Sequence, residues 1–297
     1  LYPRRGLFRR LEGGGYAASL ASANNLAEAY MQVGRLPDVL RLLEPVLHDR
    51  ARFLESEPNG TLVILDKLAN AYTGLGRIDD AIKLYREVRA IQLDRLGPEH
   101  TRTLRNGLNL ASAYRVAGRH DAALRLLKET LPLMEKTLGR DHIDTLTGLQ
   151  TLAQIYSDTG SLEESVALRE EIKDTLERRL GHAHPATLRA LNSLGYAYRA
   201  QGRFAEALAV FEGVLKTSSE ALGPDHPSTL TTMGNVAATL WSLRRLDESV
   251  PMFEEIVKRK EAVLGPNHPS TLMSVANLGV NYLQSGRVKQ ALPLLGQ

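Results

Sequence analysis

The chain of 297 residues contains no cysteine. That excludes disulfides, thiolate zinc sites and a cysteine nucleophile together. It suits a reducing compartment, and the expected location is the cytoplasm. No apolar run approaches the roughly 18 residues of a membrane span, so no membrane partner is expected. The first eleven residues carry Arg4, Arg5, Arg9 and Arg10 but no apolar core, which excludes a secretory leader there. Charge of one sign is also lacking, with 37 basic residues against 34 acidic ones. Nucleic-acid binding would want a concentrated basic stripe, and none is expected here. Phosphate-cradling glycine loops and the G-x-S-x-G and H-E-x-x-H motifs are missing too, so no catalytic residue and no cofactor are assigned.

What is present is a repeat. Thr-Leu recurs at 61–62, 103–104, 145–146, 187–188, 229–230 and 271–272, a step of 42 residues, and Ser19-Leu20 keeps the same frame. Eleven residues after each start stand Tyr30, Tyr72, Tyr114, Tyr156, Tyr198, Leu240 and Tyr282. Eight after it the residue is small, as at Ala111 and Gly195. Fifteen after it stands glycine in six units and Arg244 in the sixth. Leu-Gly pairs close the units at 96–97, 138–139, 180–181, 222–223 and 264–265.

One unit shows the physics. Leu188, Leu191, Leu194 and Tyr198 recur at helical spacing, the stripe of a first helix. Gly202 ends it, and Phe204, Ala207, Leu208, Phe211, Val214 and Leu215 mark a longer second helix. No stretch alternates with a period of two. The fold class is therefore all-α, a right-handed α-solenoid of tandem helix-turn-helix units, each covering its neighbour's apolar face. Residues 1–18 read as the tail of a preceding repeat, with 7–13 as the end of its second helix. Seven repeats then start near 19, 61, 103, 145, 187, 229 and 271, the last cut short. With Leu rather than Met at position 1, the chain reads as a piece of something longer. The sixth unit, with Arg244, Leu240 and an early Pro251, is expected to be the least regular.

These marks resemble the tetratricopeptide repeat, in the 42-residue variety of kinesin light chains. The pattern L-G-P-x-H-P-x-T-L stands at 222–230 and 264–272; N-L-G at Asn277, Leu278 and Gly279; and G-R with E-A-L at 202–208. The resemblance implies a binding scaffold for a protein or peptide. Similar arrays also follow kinase or nucleotide-binding domains in signalling proteins, so a regulatory array of a larger parent is the alternative, with self-association through the array ends. In the family the first helices line a concave groove. Carried over by position, the groove residues are Arg105, Asn109 and Arg115 in repeat three, Arg189, Asn192, Tyr196 and Arg199 in repeat five, and Asn235 and Trp241 in repeat six. Asp66, Lys67, Asn70, Ser112, Gln150, Thr151, Gln154, Asp158, Ser193 and Asn277 take equivalent places. Four arginines suit carboxylates, which guanidinium binds bidentately, so an acidic ligand along repeats three to six is expected. Asp66 stands where a two-carboxylate clamp for chaperone tails would want lysine.

Histidine recurs at 100, 142, 184, 226 and 268. Equivalent positions in stacked helices lie about 8–10 Å apart per layer, too far to share one metal. These histidines are expected to brace the turn before each first helix, and no metal site is assigned.

Overall fold

A computed structural model of the chain describes residues 16–295, in which there are fifteen helices and no strand. In order they are α1 Tyr16–Gln32, α2 Leu36–His48, α3 Arg50–Ser56, α4 Pro58–Gly74, α5 Ile78–Leu96, α6 Thr101–Val116, α7 His120–Leu138, α8 Ile143–Asp158, α9 Leu162–Leu180, α10 Pro185–Ala200, α11 Phe204–Leu222, α12 Pro227–Ser242, α13 Leu246–Leu264, α14 Pro269–Gln284 and α15 Val288–Leu295. The reading of residues 7–13 falls outside the described residues. The chain divides into two compact units, Leu1–Ile155 and Tyr156–Gln297. Each is a stack of antiparallel helical hairpins. From α6 to α14 every first helix has 16 residues, and the five second helices from α5 to α13 have 19 each.

The turn between the two helices is built with the same two hydrogen bonds in six of the seven hairpins. In the fifth repeat Gly202 takes φ +75°, its N–H donates to Arg199 O at 3.0 Å, and the next N–H, of Arg203, donates to Tyr198 O at 2.9 Å. These two bonds satisfy carbonyls that the helix end would leave bare. In the sixth repeat Arg244 takes φ +61°, its N–H donates to Trp241 O, and the N–H of Arg245 donates to Leu240 O, both at 3.0 Å. A left-handed non-glycine residue costs roughly 1–2 kcal/mol, and the sixth repeat accepts that cost without losing the turn.

The irregular residues of repeat six leave its helices intact, since α12 and α13 have the standard lengths. Pro251 lies at the sixth residue of α13, past the first turn, and so removes one intrahelical bond. The irregular unit is the first. Its second helix breaks at Asp49 into α2 and the 7-residue α3. Position 55, where the frame would put the glycine of Leu-Gly, holds Glu55.

After the turn comes a recurring clamp. The arginine that follows the turn residue lies over the tyrosine of its own first helix, at 4.9 Å for Arg35 and Tyr30, 4.3 Å for both Arg77 and Tyr72 and Arg203 and Tyr198, and 5.9 Å for Arg287 and Tyr282. Its guanidinium also pairs with an acid three residues on, in Arg35–Asp38, Arg77–Asp80, Arg203–Glu206 and Arg245–Glu248. This accounts for the arginine and following acid of repeats one, two, five and six. The pairs face solvent, which screens them, so each adds little to stability.

The core uses a size exchange. Gly195 packs so closely on the fully buried Phe211 that a Cβ would meet its ring carbons at 2.6 Å. In the third repeat the same two positions are Ala111 and Leu127, both fully buried. The smaller backbone position goes with the larger ring.

Candidate functional site

The side chains of interest lie on the first helices. In the first unit most of them are already occupied. Asp66 on α4 accepts from Asn106 Nδ2 at 2.7 Å and Gln92 Nε2 at 3.0 Å. Burial pushes its carboxyl up to about 6, although both donors pull the other way. Lys67 pairs with Glu28, and that pairing holds the Glu28 carboxyl below its usual range. Asn70 accepts from Tyr85 Oη at 2.6 Å. Arg105 on α6 is exposed but pairs with Asp144 at 2.6 Å, so its charge has a carboxylate at hand. Asn109 and Arg115 are half-buried on the same helix.

The second unit differs. Arg189 on α10 is exposed and makes no ion pair or side-chain hydrogen bond among the described residues. Asn192 Oδ1, Arg199 Nε and Trp241 Nε1 are buried polar atoms without a hydrogen-bond partner. Burying such an atom unpaired costs about 1–3 kcal/mol. Tyr196 is 49% exposed, lies edge-on to Phe211 with ring centres 5.5 Å apart, and donates from Oη to Asn235 Oδ1 at 2.8 Å. The structure thus brings Tyr196 and Asn235 together across consecutive first helices. Trp241 on α12 is half-buried. Ser193 accepts a hydrogen bond from the buried Arg169.

Sequence reasoning missed an apolar extension of this face. Met273, Val280 and Leu283 on α14 are 65%, 39% and 50% exposed, and they recur at the spacing of one helix face. They stand two, nine and twelve residues after Thr271, at the positions used to choose Arg189, Tyr196 and Arg199. The same register applied to repeat seven would have found them.

The five periodic histidines are helix caps. The Nδ1 atoms of His100, His142, His184, His226 and His268 each accept from the backbone N–H two residues on, at 3.1–3.2 Å. Proline follows directly at 185, 227 and 269, where its missing donor does no harm. Nδ1 therefore serves a first-turn amide. Among the described residues no three His, Asp or Glu side chains gather to hold a metal, and no helix is long and apolar enough to cross a membrane.

The hairpin stack, its glycine turn and its capped first helices define a class of helical repeat protein. The chain belongs to the tetratricopeptide repeat family, whose model matches residues 16–94, 60–136, 102–171, 149–216, 187–262 and 233–297. It is similar to the TPR-like repeats of a Podosopora anserina protein described as a kinesin light chain, with 28% identity, 67% of this chain and 95% of that one covered, and a TM-score of 0.62. BtubC (BKLC) from P. vanneervenii shares the fold at 18% identity, covering 79% of this chain and 94% of that one with a TM-score of 0.65. NprR in complex with its cognate peptide NprX shares it at 13% identity, over 93% of this chain and 76% of that one, with a TM-score of 0.57. No curated protein matches the sequence. The fold is that of a protein-interaction scaffold.

Proposed function

We propose that the second unit binds an extended peptide along the exposed faces of α10, α12 and α14, and that the chain acts as a scaffold without catalysing a reaction. One observation carries the reading: Asn192 Oδ1, Arg199 Nε and Trp241 Nε1 lack partners although they are buried. A peptide backbone supplies the N–H that the asparagine oxygen wants and the carbonyl that the indole N–H wants. A ligand carboxylate suits Arg199 and the exposed Arg189. Met273, Val280 and Leu283 suit an apolar stretch further along the same peptide. The neighbour NprR, which carries a peptide, supports this mode. The ligand is therefore acidic at one end and apolar at the other. Of the arginines read from the sequence, Arg189 and Arg199 carry this proposal, because Arg105 already has Asp144.

The single tryptophan makes the test direct, since Trp241 is the only indole in the chain. A blocked peptide with two glutamates followed by three leucines should shift Trp241 emission on binding. Arg189→Glu with Arg199→Glu should weaken that binding at least tenfold while far-ultraviolet circular dichroism stays helical. Unchanged affinity in the double variant sinks the reading.

A further inference from the structure

In the second unit the repeat tyrosine donates its hydroxyl to a glutamate on the preceding second helix. Tyr198 Oη donates to Glu170 Oε1, and Tyr282 Oη to Glu254 Oε1 at 2.7 Å. In both cases the glutamate stands 28 residues before the tyrosine. That position holds Glu44, Arg86, Lys128, Glu170, Glu212 and Glu254 along the chain. For Tyr114 the residue in this place is Arg86, so the register's carboxylate has been exchanged for a guanidinium.

A pocket of about 400 Å³ opens between α5, α6 and α7, with Arg86, Arg89, Leu110, Tyr114, Arg125 and Glu129 among its lining. That volume lies at the small end of ordinary ligand pockets. Arg89 is half-buried and anchored by a bond from Nη1 to Thr103 O at 3.0 Å. Arg86 and Arg125 are exposed and make no ion pair or side-chain hydrogen bond among the described residues, and the Tyr114 hydroxyl has no partner either. The arginine that would lie over this tyrosine, Arg119, instead reaches Asp79 at 2.6 Å. Three guanidinium groups face one carboxylate, Glu129, which is exposed and itself makes no ion pair among the described residues.

We propose that this pocket is a second binding site, distinct from the face of α10 to α14, and that it receives a glutamate or aspartate side chain of a partner polypeptide. The incoming carboxylate accepts from Tyr114 Oη, as Glu170 and Glu254 accept from their tyrosines, and pairs with Arg86 and Arg125. Leu110 and the ring of Tyr114 cover the stem. Glu170 and Glu254 show that a glutamate carboxylate at this place meets the repeat tyrosine's hydroxyl. Bidentate pairing with guanidinium adds geometric selectivity.

The test uses the full chain carrying Arg189→Glu and Arg199→Glu, which removes the other proposed site. Calorimetric titration with N-acetylated, C-amidated hexaglutamate should show binding. Adding Arg86→Glu, which restores the register's own glutamate as Tyr114's acceptor, should weaken it at least tenfold. Arg86→Gln, which removes only the charge, should give a smaller loss in the same direction, and so should Tyr114→Phe. Undiminished binding in both Arg86 variants overturns the proposal, and so does absence of binding in the starting chain. Free glutarate binding as tightly as the peptide overturns the polypeptide source. Inorganic phosphate binding more tightly than either, with the same dependence on Arg86, overturns the carboxylate assignment.

Discussion

Tyr198 and Tyr114 occupy the same place in their repeats, and the chain treats them in opposite ways. Tyr198 is closed off: Arg203 lies over its ring at 4.3 Å, Glu170 takes its hydroxyl, and Arg203 is held by Glu206 at 2.5 Å. Burial and the Glu170 carboxylate push its hydroxyl up to about 12. Tyr114 has neither the arginine nor the acceptor, and it lines a pocket with Arg86 and Arg125. The backbone around the two is the same. Two differences separate them: Arg86 stands where Glu170 would be, and Arg119 reaches Asp79 instead of the ring.

The largest test of this comparison concerns the packing beneath the two tyrosines. Gly195→Ala should destabilise by about 1–3 kcal/mol, the usual cost of overpacking. Adding Phe211→Leu, which reproduces the Ala111 and Leu127 pair of the third repeat, should recover much of the loss. Urea denaturation of the single and double variants decides it, and no recovery in the double would show that the size exchange is incidental. Next, Glu170→Arg should make the Tyr198 junction like that of Tyr114. It removes the acceptor of a part-buried hydroxyl and should cost about 1–1.5 kcal/mol, read as a lower urea midpoint. A neutral result would mean that the tyrosine–glutamate bond contributes nothing. His226→Ala should cost about 1 kcal/mol and His226→Asn markedly less, since asparagine caps well. Equal losses in the two would remove the capping role. The smallest effect is a slope. Asp66 in the first unit and Asn192 in the second stand at the same register position, but only Asp66 titrates. Its folded value of about 6 lies above the ordinary 3.8. Between those values the folded chain holds a proton that the unfolded chain has released. Its contribution to stability therefore rises as pH falls from 7 towards 4 and is lost as pH climbs through about 6. Asp66→Asn should flatten this part of the profile in melts taken from pH 7 to 4, and an unaltered profile would refute it.

The period, the all-helical class, the glycine turns and the bracing role of the histidines were legible because each is set by local chemistry. The capping atom was not, since spacing says nothing of which imidazole nitrogen faces an amide. Arg105 was read as open to a ligand because its partner is remote: Arg105 and Asp144 are 39 residues apart, as are Tyr196 and Asn235. Arg119 with Asp79 and Asn106 with Asp66 are 40 apart. Equivalent helices of neighbouring repeats thus touch at a little less than one period. Reading the sequence at that offset would have found these partners. The break at Asp49 was visible as a missing Leu-Gly. The pocket at Tyr114 was missed because attention went to the first helices, whereas its signal is a change of sign on a second helix.

The histidine caps have one more consequence. Each cap bond joins an imidazole to an amide two residues away, so the cap of a first helix is supplied from within its own turn. A stretch of 42 residues running from one histidine to the next therefore carries its own start signal and ends where the following one begins. Such a stretch can be excised or duplicated whole with both new joints already in phase.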